Sequence, residues 1–377
     1  MRVALFVDWF LPGFKAGGPI RSVENIIANL GEQVEFDIIT SVYDAGSKTP
    51  YNTVVADKWI DAKNYRIIYL TKKSQNIGNL KKIIDDGRYN VLYLNSMFSY
   101  NYSILPLLVG LQSKRNIKIV VAPRGMLQKK ALTRRPVRKH LYLFCLKLLR
   151  VNKKIIFHAC SQSEEIEIIH VFGRKSNVRI IPNFVKPVKD SYTPITKETG
   201  KIRLVFISII QFMKNLNFFI DCLSGIRGEI LFDIYGPSQQ QDYFEECVKK
   251  AAKLKENCSI NFKGAIQNER VPAILSNYHF FILPSFGENF GHAIFEALSC
   301  GRPVIISDHT PWQDLQKHKA GWDLSINEPD KFIAIIKSCI EMRQMEYNEW
   351  SRGAHEFARK FAFQNNVVEK YMQLFVN

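Results

Sequence analysis

The sequence of 377 residues has no long hydrophobic run and no ordered cysteine pattern. None of its apolar stretches approaches the ~20 residues that a membrane-spanning helix needs. The N-terminal apolar run contains Asp8 and has no small-residue cleavage site, so it predicts a first β-strand and not a secretory signal. The seven cysteines are odd in number and form no C-x-x-C pair, which indicates reduced core residues of a cytosolic protein and argues against a disulfide or zinc framework.

Acidic residues are missing from a long part of the first half. No Asp or Glu occurs between Asp86 and Glu164, a stretch that carries 15 Lys and Arg. Residues 1–200 hold 32 basic and 15 acidic side chains, whereas residues 201–377 hold 20 of each, so the whole net charge of +17 lies in the first half. We therefore expect an anionic partner to meet that half.

The length fits two domains of ~150 to 200 residues, each able to bury a core of its own. Short runs rich in Val, Ile and Phe alternate with longer amphipathic segments, a pattern typical of β-α units and a parallel sheet. The predicted strands are 2–7, 36–40, 66–70, 91–94, 117–122, 155–159, 178–181, 204–208, 231–235, 260–263, 280–283 and 303–307. The predicted fold class is α/β, with two Rossmann-like domains facing a central cleft.

The boundary between the domains is predicted from prolines. Residues 182–200 contain three of them among polar residues, which excludes a helix or a central strand. We therefore expect a first domain at 1–182, a linker at 183–200 and a second domain at 201–355. The last helical segment, from 356 to the end of the chain, is expected to pack back on the first domain.

The segment from Leu283 to Ser307 combines several features of a ligand site. A predicted strand ends at Leu283, a turn-rich loop follows, and Gly291 opens a short helix on the side of the sheet where ligands bind. The first backbone N–H groups of such a helix, those of residues 290–293, favour an anion such as a pyrophosphate.

Two acidic residues frame this helix start. Glu288 precedes it, and Glu296 projects from an otherwise apolar helix, where sugar hydroxyl groups could satisfy its carboxylate. Taken alone, the pair is equally well explained by a favourable helix N-terminus at Glu288 and a solvated edge at Glu296.

The longer string P-S-F-G-E-N-F-G-H-A-I-F-E-A-L-S-C-G-R-P-V-I decides between these readings, because it resembles the E-x7-E signature of the family 4 retaining glycosyltransferases with the GT-B fold. Three further elements resemble a bacterial surface-polysaccharide branch of that family. They are the glycine loop with Gly17 and Gly18, the A-P-R-G element with Arg124, and the H-A-x-S-x-x-E element with His158, in which Ser161 and Glu164 also form a capping box.

One position departs from the family pattern. The family's S-R-x-x-x-x-K-N element, in which both basic residues hold the donor diphosphate, begins here at Ser208. Lys214 matches its lysine, but Ile209 occupies the arginine position and carries no charge. Neutralisation of the phosphates is therefore expected to rest on Lys214, on the helix start near Gly291 and on Arg124.

The resemblance implies an activity and a set of site residues. It implies a hexosyltransferase that moves a sugar from a nucleotide-diphosphate donor to an acceptor hydroxyl with retention, without metal or cofactor. The implied catalytic residues are Glu288, Lys214 and Arg124. The implied donor-binding residues are Gly17, Gly18, Lys214, Glu288, Asn289, Phe290, Gly291, His292 and Glu296. His158 is expected to be an acceptor-side or a structural residue.

The basic half is expected to meet a membrane. Residues 129–154 hold ten Lys and Arg, no acidic residue and several interleaved apolar residues, which suits the inner, anionic membrane surface and a lipid-linked glycan acceptor in O-antigen, capsule or exopolysaccharide synthesis. A core helix with a solvated basic face is the alternative for this segment. For the whole chain, the alternatives are another GT-B enzyme, such as a nucleotide-sugar epimerase or a glycan phosphorylase, and a nucleic-acid-binding protein.

Overall fold

The computed structural model describes residues 1–133, 136–363 and 366–376. It divides into two compact units, Met1–Phe184 with Asn366–Asn377 (unit 1) and Val185–Asn365 (unit 2). None of the described helices is long and apolar enough to cross a membrane.

The elements alternate along the chain as β-α units. The strands are β1 (Arg2–Phe6), β2 (Glu35–Ser41), β3 (Trp59–Asp61), β4 (Tyr65–Leu70), β5 (Val91–Leu94), β6 (Lys118–Val121), β7 (Ile156–Ala159), β8 (Asn177–Ile180), β9 (Lys201–Ile207), β10 (Glu229–Tyr235), β11 (Cys258–Gly264), β12 (Phe280–Leu283), β13 (Val304–Ser307) and β14 (Gly321–Leu324). The helices are α1 (Gly18–Leu30), α2 (Ile77–Gly87), α3 (Leu105–Gln112), α4 (Lys129–Leu132), α5 (Pro136–Leu148), α6 (Gln162–Phe172), α7 (Leu216–Cys222), α8 (Gln241–Ala251), α9 (Val271–Leu275), α10 (His292–Ser299), α11 (Pro329–Glu341), α12 (Gln344–Phe363) and α13 (Val367–Val376).

Unit 1 is built on one sheet with a core on each face. Its strand order is β3-β4-β2-β1-β5-β6-β7-β8, and every pairing is parallel except that of β3 with β4. Successive side chains of a strand point to opposite faces. In β1, Val3 and Leu5 accordingly pack in one core and Ala4 and Phe6 in the other. This double burial explains why the strands are continuous apolar runs in the sequence.

Unit 2 is built on a parallel sheet with the order β11-β10-β9-β12-β13-β14. Residues of the predicted linker belong to this unit. Val185, Val188 and Ile195 pack against its core, and the Lys197 ammonium donates hydrogen bonds to the carbonyls of Ile340 and Met342. The prolines here interrupt regular structure, but the apolar residues between them still attach the segment to unit 2.

The predicted parallel α/β class is confirmed, and the twelve predicted strands correspond to observed ones. The sequence patterns miss β3 and β14, which have only three and four residues and include Asp61 and Asp323. The segment from 356 to the chain end is not one helix, and only its second part, α13, packs on unit 1 as predicted. Tyr347, Ala354 and Ala358 of α12 are buried in the core of unit 2, whereas Tyr371 and Phe375 of α13 are buried in unit 1, so two separate helices serve the two cores.

Candidate functional site

The carboxyl ends of the strands in unit 2 carry a loop that is tied to its neighbour. The loop after β12 approaches the turn that follows β9: the Ser285 hydroxyl donates to the Met213 carbonyl over 3.0 Å, and the Phe286 amide donates to the same oxygen over 2.9 Å. These bonds place the loop that carries Glu288 beside the turn that carries Lys214.

The two predicted catalytic residues of unit 2 form an ion pair. The Lys214 Nζ lies 2.5 Å from Glu288 Oε1, and the two side chains are only 16% and 10% exposed. The Glu288 amide donates to the His309 carbonyl over 3.2 Å, which fixes the loop from the β13 side as well. A part-buried pair in this position holds a positive and a negative group side by side at the ligand edge of the sheet.

Gly291 shapes the start of α10. Its φ of 80° and ψ of 59° lie in the left-handed region, and a Cβ at this position would meet Ile294 Cδ1 at 2.8 Å. The Gly291 carbonyl accepts the first amides of the helix, from Ile294 and Phe295. Backbone geometry therefore favours glycine here, whereas the contact with the end of the Ile294 side chain could be relieved by a small shift.

Aromatic side chains hold the residue before this glycine. The Trp312 indole N–H donates to the Phe290 carbonyl over 2.5 Å, and the Phe290 ring lies 4.7 Å from the His292 ring. Asn289 and His292 are half-buried on either side of them. Glu296 is half-buried on α10 between the buried Phe295 and Ala297, so the two acidic residues of the E-x7-E string flank the start of the helix.

Sequence reasoning missed the residues that hold this loop. His309 follows β13, and its Nδ1 lies 3.1 Å from the Phe286 carbonyl; Met213 and Trp312 supply the other contacts described above. His309 and Trp312 follow a predicted strand at its carboxyl end, so the rule that directs attention to strand ends could have found them. Ile209 is half-buried in the loop after β9 and leaves the arginine position of the family pattern without charge.

Unit 1 engages Arg124 in an internal network. Its guanidinium donates to Asn95 Oδ1 over 2.7 and 3.3 Å, to the Tyr93 hydroxyl over 2.9 Å, to Asn183 Oδ1 over 2.7 Å and to Cys160 Sγ over 2.9 Å. A guanidinium has five N–H donors, and five contacts use all of them. The phosphate contact predicted for Arg124 would require some of these bonds to break.

His158 is buried in the same network. Its Nε2 lies 2.8 Å from the Ile181 carbonyl, which can only accept, and its Nδ1 lies 2.6 Å from the Tyr93 hydroxyl. These partners assign the proton to Nε2. Burial, followed by the charge of Arg124, lowers the pKa of His158 to about 3, so the ring is neutral at physiological pH. Of the two expected roles, this geometry fits the structural one.

Glu164 joins the two motifs of unit 1. Its carboxylate accepts the Gly125 amide and the Cys160 amide, each over 2.7 Å. Its own amide donates to the Ser161 hydroxyl over 3.2 Å, as half of the predicted capping box would require. The A-P-R-G and H-A-x-S-x-x-E elements are therefore parts of one hydrogen-bonded assembly at the ends of β6 and β7.

The glycine loop precedes α1 in unit 1. Gly17 has a φ of 63°, and α1 begins at Gly18. The Asp44 carboxylate accepts the amides of Phe14 and Lys15 over 3.2 and 3.4 Å, which holds the loop in place. The donor contacts of Gly17 and Gly18 stay predictions. Among the described residues, no three His, Cys, Asp or Glu side chains are grouped so that they could hold a metal ion.

A family model matches most of the second unit. Residues 189–357 match the family model described as Glycosyl transferases group 1. This match contains Lys214, Glu288, Gly291 and Glu296, and it ends within α12.

Curated relatives match in part of their length. A 2-deoxystreptamine N-acetyl-D-glucosaminyltransferase of Niallia circulans is 29% identical over 126 residues, which are 33% of this chain and 32% of the relative. An O-antigen chain mannosyltransferase B of Escherichia coli is 30% identical over 110 residues, which are 29% of this chain and 28% of the relative. The chain thus spans about a third of the length of these relatives.

Solved structures match over the whole chain. A sucrose-phosphate synthase of Thermosynechococcus elongatus gives a TM-score of 0.75 at 16% identity and covers 100% of this chain and 98% of its own. HepE of Anabaena, in complex with UDP and glucose, gives a TM-score of 0.72 at 17% identity, with coverages of 99% and 98%. The predicted fold is confirmed: two parallel-sheet α/β domains, as in these GT-B glycosyltransferases.

Proposed function

We propose that this chain is a retaining glycosyltransferase that moves a sugar from a nucleotide-diphosphate donor to an acceptor hydroxyl, without a metal ion. The observation that carries the proposal is the Lys214–Glu288 pair of 2.5 Å at the ligand edge of unit 2, beside the start of α10. The family match of residues 189–357 supports the same reaction class.

The proposed chemistry follows from charge. Breaking the glycosyl phosphate bond develops negative charge on the leaving diphosphate, and fixed donors aimed at that charge stabilise the transition state. Lys214 uses one of its three N–H groups on Glu288, which leaves two for phosphate oxygens. The N-terminus of α10 adds its dipole. Because Ile209 carries no charge, stabilisation of the diphosphate by unit 2 depends on Lys214 and on the N-terminus of α10.

The two acidic residues are proposed to bind hydroxyl groups of the donor. In this proposal Glu296 accepts hydrogen bonds from the ribose, and Glu288 positions the donor sugar while it orients Lys214. HepE, whose structure contains UDP and glucose, shares the fold, and we extend a uridine or similar nucleotide donor to this chain as part of the proposal. Arg124 and His158 are assigned to holding the ends of β6 and β7.

A donor panel tests this assignment. UDP-glucose, UDP-N-acetylglucosamine, UDP-galactose and GDP-mannose are each mixed with the purified protein, and melting and nucleotide release are followed. At about 100 times its Kd, the true donor is expected to stabilise the protein by about 2.7 kcal/mol. Glu296→Gln is expected to weaken the binding of that nucleotide sugar about tenfold, because it removes charge-assisted hydrogen bonds. Glu256→Gln, the same change at an exposed site of unit 2, should have no effect. Failure of every nucleotide sugar to bind or react would contradict the proposed function.

The part of the proposal that concerns the acceptor rests on the exposed surface of α5. Val137, Leu141, Phe144 and Leu148 follow a helical spacing and are between 60% and 78% exposed. The opposite side of the helix buries Leu143 and Leu146. Arg134 and Arg135 of the predicted basic segment lie outside the described residues.

Exposed basic residues flank this apolar stripe, among them Arg138, Lys147 and Arg150. An apolar stripe bordered by bases suits the headgroup region of an anionic bilayer. We propose that unit 1 docks at the inner face of the cell membrane, where a lipid-linked glycan acceptor of surface-polysaccharide synthesis would be met.

Vesicle sedimentation tests the docking. The protein is expected to bind vesicles that contain about 30% phosphatidylglycerol, and binding should fall as salt rises. Phe144→Glu should reduce binding at least tenfold, because an aromatic ring buried in the bilayer contributes ~1.5 to 3 kcal/mol and the new charge is repelled by the anionic lipid. Ile166→Glu, at a comparably exposed apolar residue of α6, is the control and should bind as the parent protein does. Equal binding to neutral vesicles at every salt concentration would refute membrane docking.

A further inference from the structure

Asp8 lies at the carboxyl end of the central strand of unit 1. It follows β1, whose neighbours are β2 and β5. The Val7 amide donates to the Ile39 carbonyl over 3.1 Å, and the Asn95 amide donates to the Phe6 carbonyl over 3.0 Å. Asp8 therefore emerges between the ends of two flanking strands, at the edge where open parallel sheets bind ligands.

The charge of Asp8 is not balanced within the fold. Its side chain accepts a hydrogen bond from the Ser99 hydroxyl over 2.6 Å, and among the described residues no basic side chain forms an ion pair with it. Burial raises the pKa of Asp8, although the bond from Ser99 acts in the opposite direction. A half-buried carboxylate whose hydrogen bonds come only from neutral groups, the Ser99 hydroxyl and its own backbone amide, is a poor contributor to stability.

Asp37, another shielded aspartate of unit 1, shows the contrast. It receives hydrogen bonds from Arg2, Arg66 and the Tyr89 hydroxyl. Burial alone would raise the pKa of Asp37, but the bonds from Arg66 and Tyr89 lower it below its ordinary value. The fold thus pairs the charge of Asp37 with two arginines, whereas no basic side chain of the described residues pairs with Asp8.

The orientation of Asp8 is fixed by a short chain of bonds. The Ser99 hydroxyl donates its one hydrogen bond to Asp8. It accepts a hydrogen bond from the Tyr102 amide over 3.2 Å, at the start of the π-helical turn Tyr100–Ile104. The Ser99 amide in turn donates to the Ser96 hydroxyl over 3.1 Å. Such a locked carboxylate is preorganised to accept a further hydrogen bond.

The next strand end leaves a buried donor unused. Asn95, at the end of β5, is only 4% exposed, and its Oδ1 receives two N–H groups of Arg124. Its Nδ2 has no hydrogen-bond partner within the described residues. Buried amide groups are normally paired, so this unpaired donor is available to a polar ligand at the same edge of the sheet.

We propose that Asp8, held by Ser99, binds a hydroxyl group of a sugar acceptor at the carboxyl edge of unit 1. A carboxylate accepts a hydroxyl proton and repels phosphate, so the group at Asp8 is a sugar hydroxyl and not the phosphate of a lipid carrier. The inference rests on the proposed glycosyltransferase function and names the acceptor group that unit 1 recognises.

The test separates acceptor binding from donor use. The full-length protein is assayed with its best nucleotide sugar and with n-octyl glycosides of glucose, galactose, mannose and N-acetylglucosamine as acceptors. Asp8→Asn keeps the shape and removes the charge, and it is expected to raise the acceptor KM about 10- to 100-fold while the donor KM stays within about twofold. Ser99→Ala, which releases the carboxylate, should raise the acceptor KM by a smaller factor. Asp86→Asn, on an exposed position of α2, is the matched control.

Each outcome decides one question. An unchanged acceptor KM in a folded Asp8→Asn protein would overturn the inference, as would a parent protein that hydrolyses its donor but transfers to no octyl glycoside. If the parent protein neither binds nor consumes any nucleotide sugar, the proposed function itself fails. Melting of each variant distinguishes a lost contact from a lost fold.

Discussion

Replacement of Lys214 by methionine is expected to lower the rate of sugar transfer about 100- to 1000-fold. Removal of one fixed donor from a site that stabilises developing negative charge has an effect of this size. The substitution keeps most of the aliphatic stem and removes the ammonium that lies 2.5 Å from Glu288. Because Ile209 supplies no second charge, the leaving diphosphate would be stabilised mainly by the N-terminus of α10. Product formation at saturating donor and acceptor measures the loss.

A second ion pair of unit 2 provides the control. Lys250 and Asp221 also lie 2.5 Å apart, but on an exposed surface between α7 and α8. Lys250→Met is expected to leave the transfer rate unchanged, since exposed pairs contribute at most ~1 kcal/mol even to stability. If Lys214→Met keeps more than a tenth of the parent rate while Lys250→Met behaves as expected, the Lys214–Glu288 pair is structural and the catalytic assignment is wrong.

The position of this pair could be predicted only in part. The E-x7-E string and the end of β12 direct attention to Glu288, and the K-N element after β9 directs it to Lys214. Their contact depends on the bonds from Ser285 and Phe286 to the Met213 carbonyl. A backbone oxygen carries no mark in the sequence, so the meeting of the two loops had to come from the structure.

The two short strands and the final helices illustrate a second limit. β3 pairs antiparallel at the sheet edge over three residues, and β14 closes the other sheet over four. Segments this short show no clear period, and their pairing partners decide their conformation. Likewise, α12 and α13 share a similar apolar spacing in the sequence, although their buried residues belong to different cores.

The network around Arg124 shows why a motif match does not fix a role. An arginine after a strand, at the ligand edge of a sheet, is well placed to bind phosphate. Its observed partners are spread over 91 positions of the sequence, from 93 to 183. They are Tyr93, Asn95, Cys160 and Asn183. Nothing in the local string indicates that these side chains converge on one guanidinium.

Arg124→Ala is therefore expected to destabilise unit 1 by about 3 to 5 kcal/mol, one of the larger effects for a single substitution. The change removes the guanidinium donors of Asn95 Oδ1, Asn183 Oδ1 and the Tyr93 hydroxyl, and it leaves Asn183 Oδ1 only the Cys160 thiol. Urea unfolding followed by circular dichroism measures the loss. Arg174→Ala, at an exposed position after α6, should unfold as the parent protein does.

Arg124→Lys distinguishes the structural role from a phosphate-binding role. An ammonium has three donors in place of five and cannot span Asn95 and Asn183 as a planar fork does, so an intermediate loss of stability is expected. A residue that only neutralises phosphate would show the reverse pattern: unchanged unfolding in both variants, with transfer lost in Arg124→Ala and partly restored in Arg124→Lys. The observed five bonds favour the first pattern, because a guanidinium whose donors are all used within its own unit has none left for a substrate.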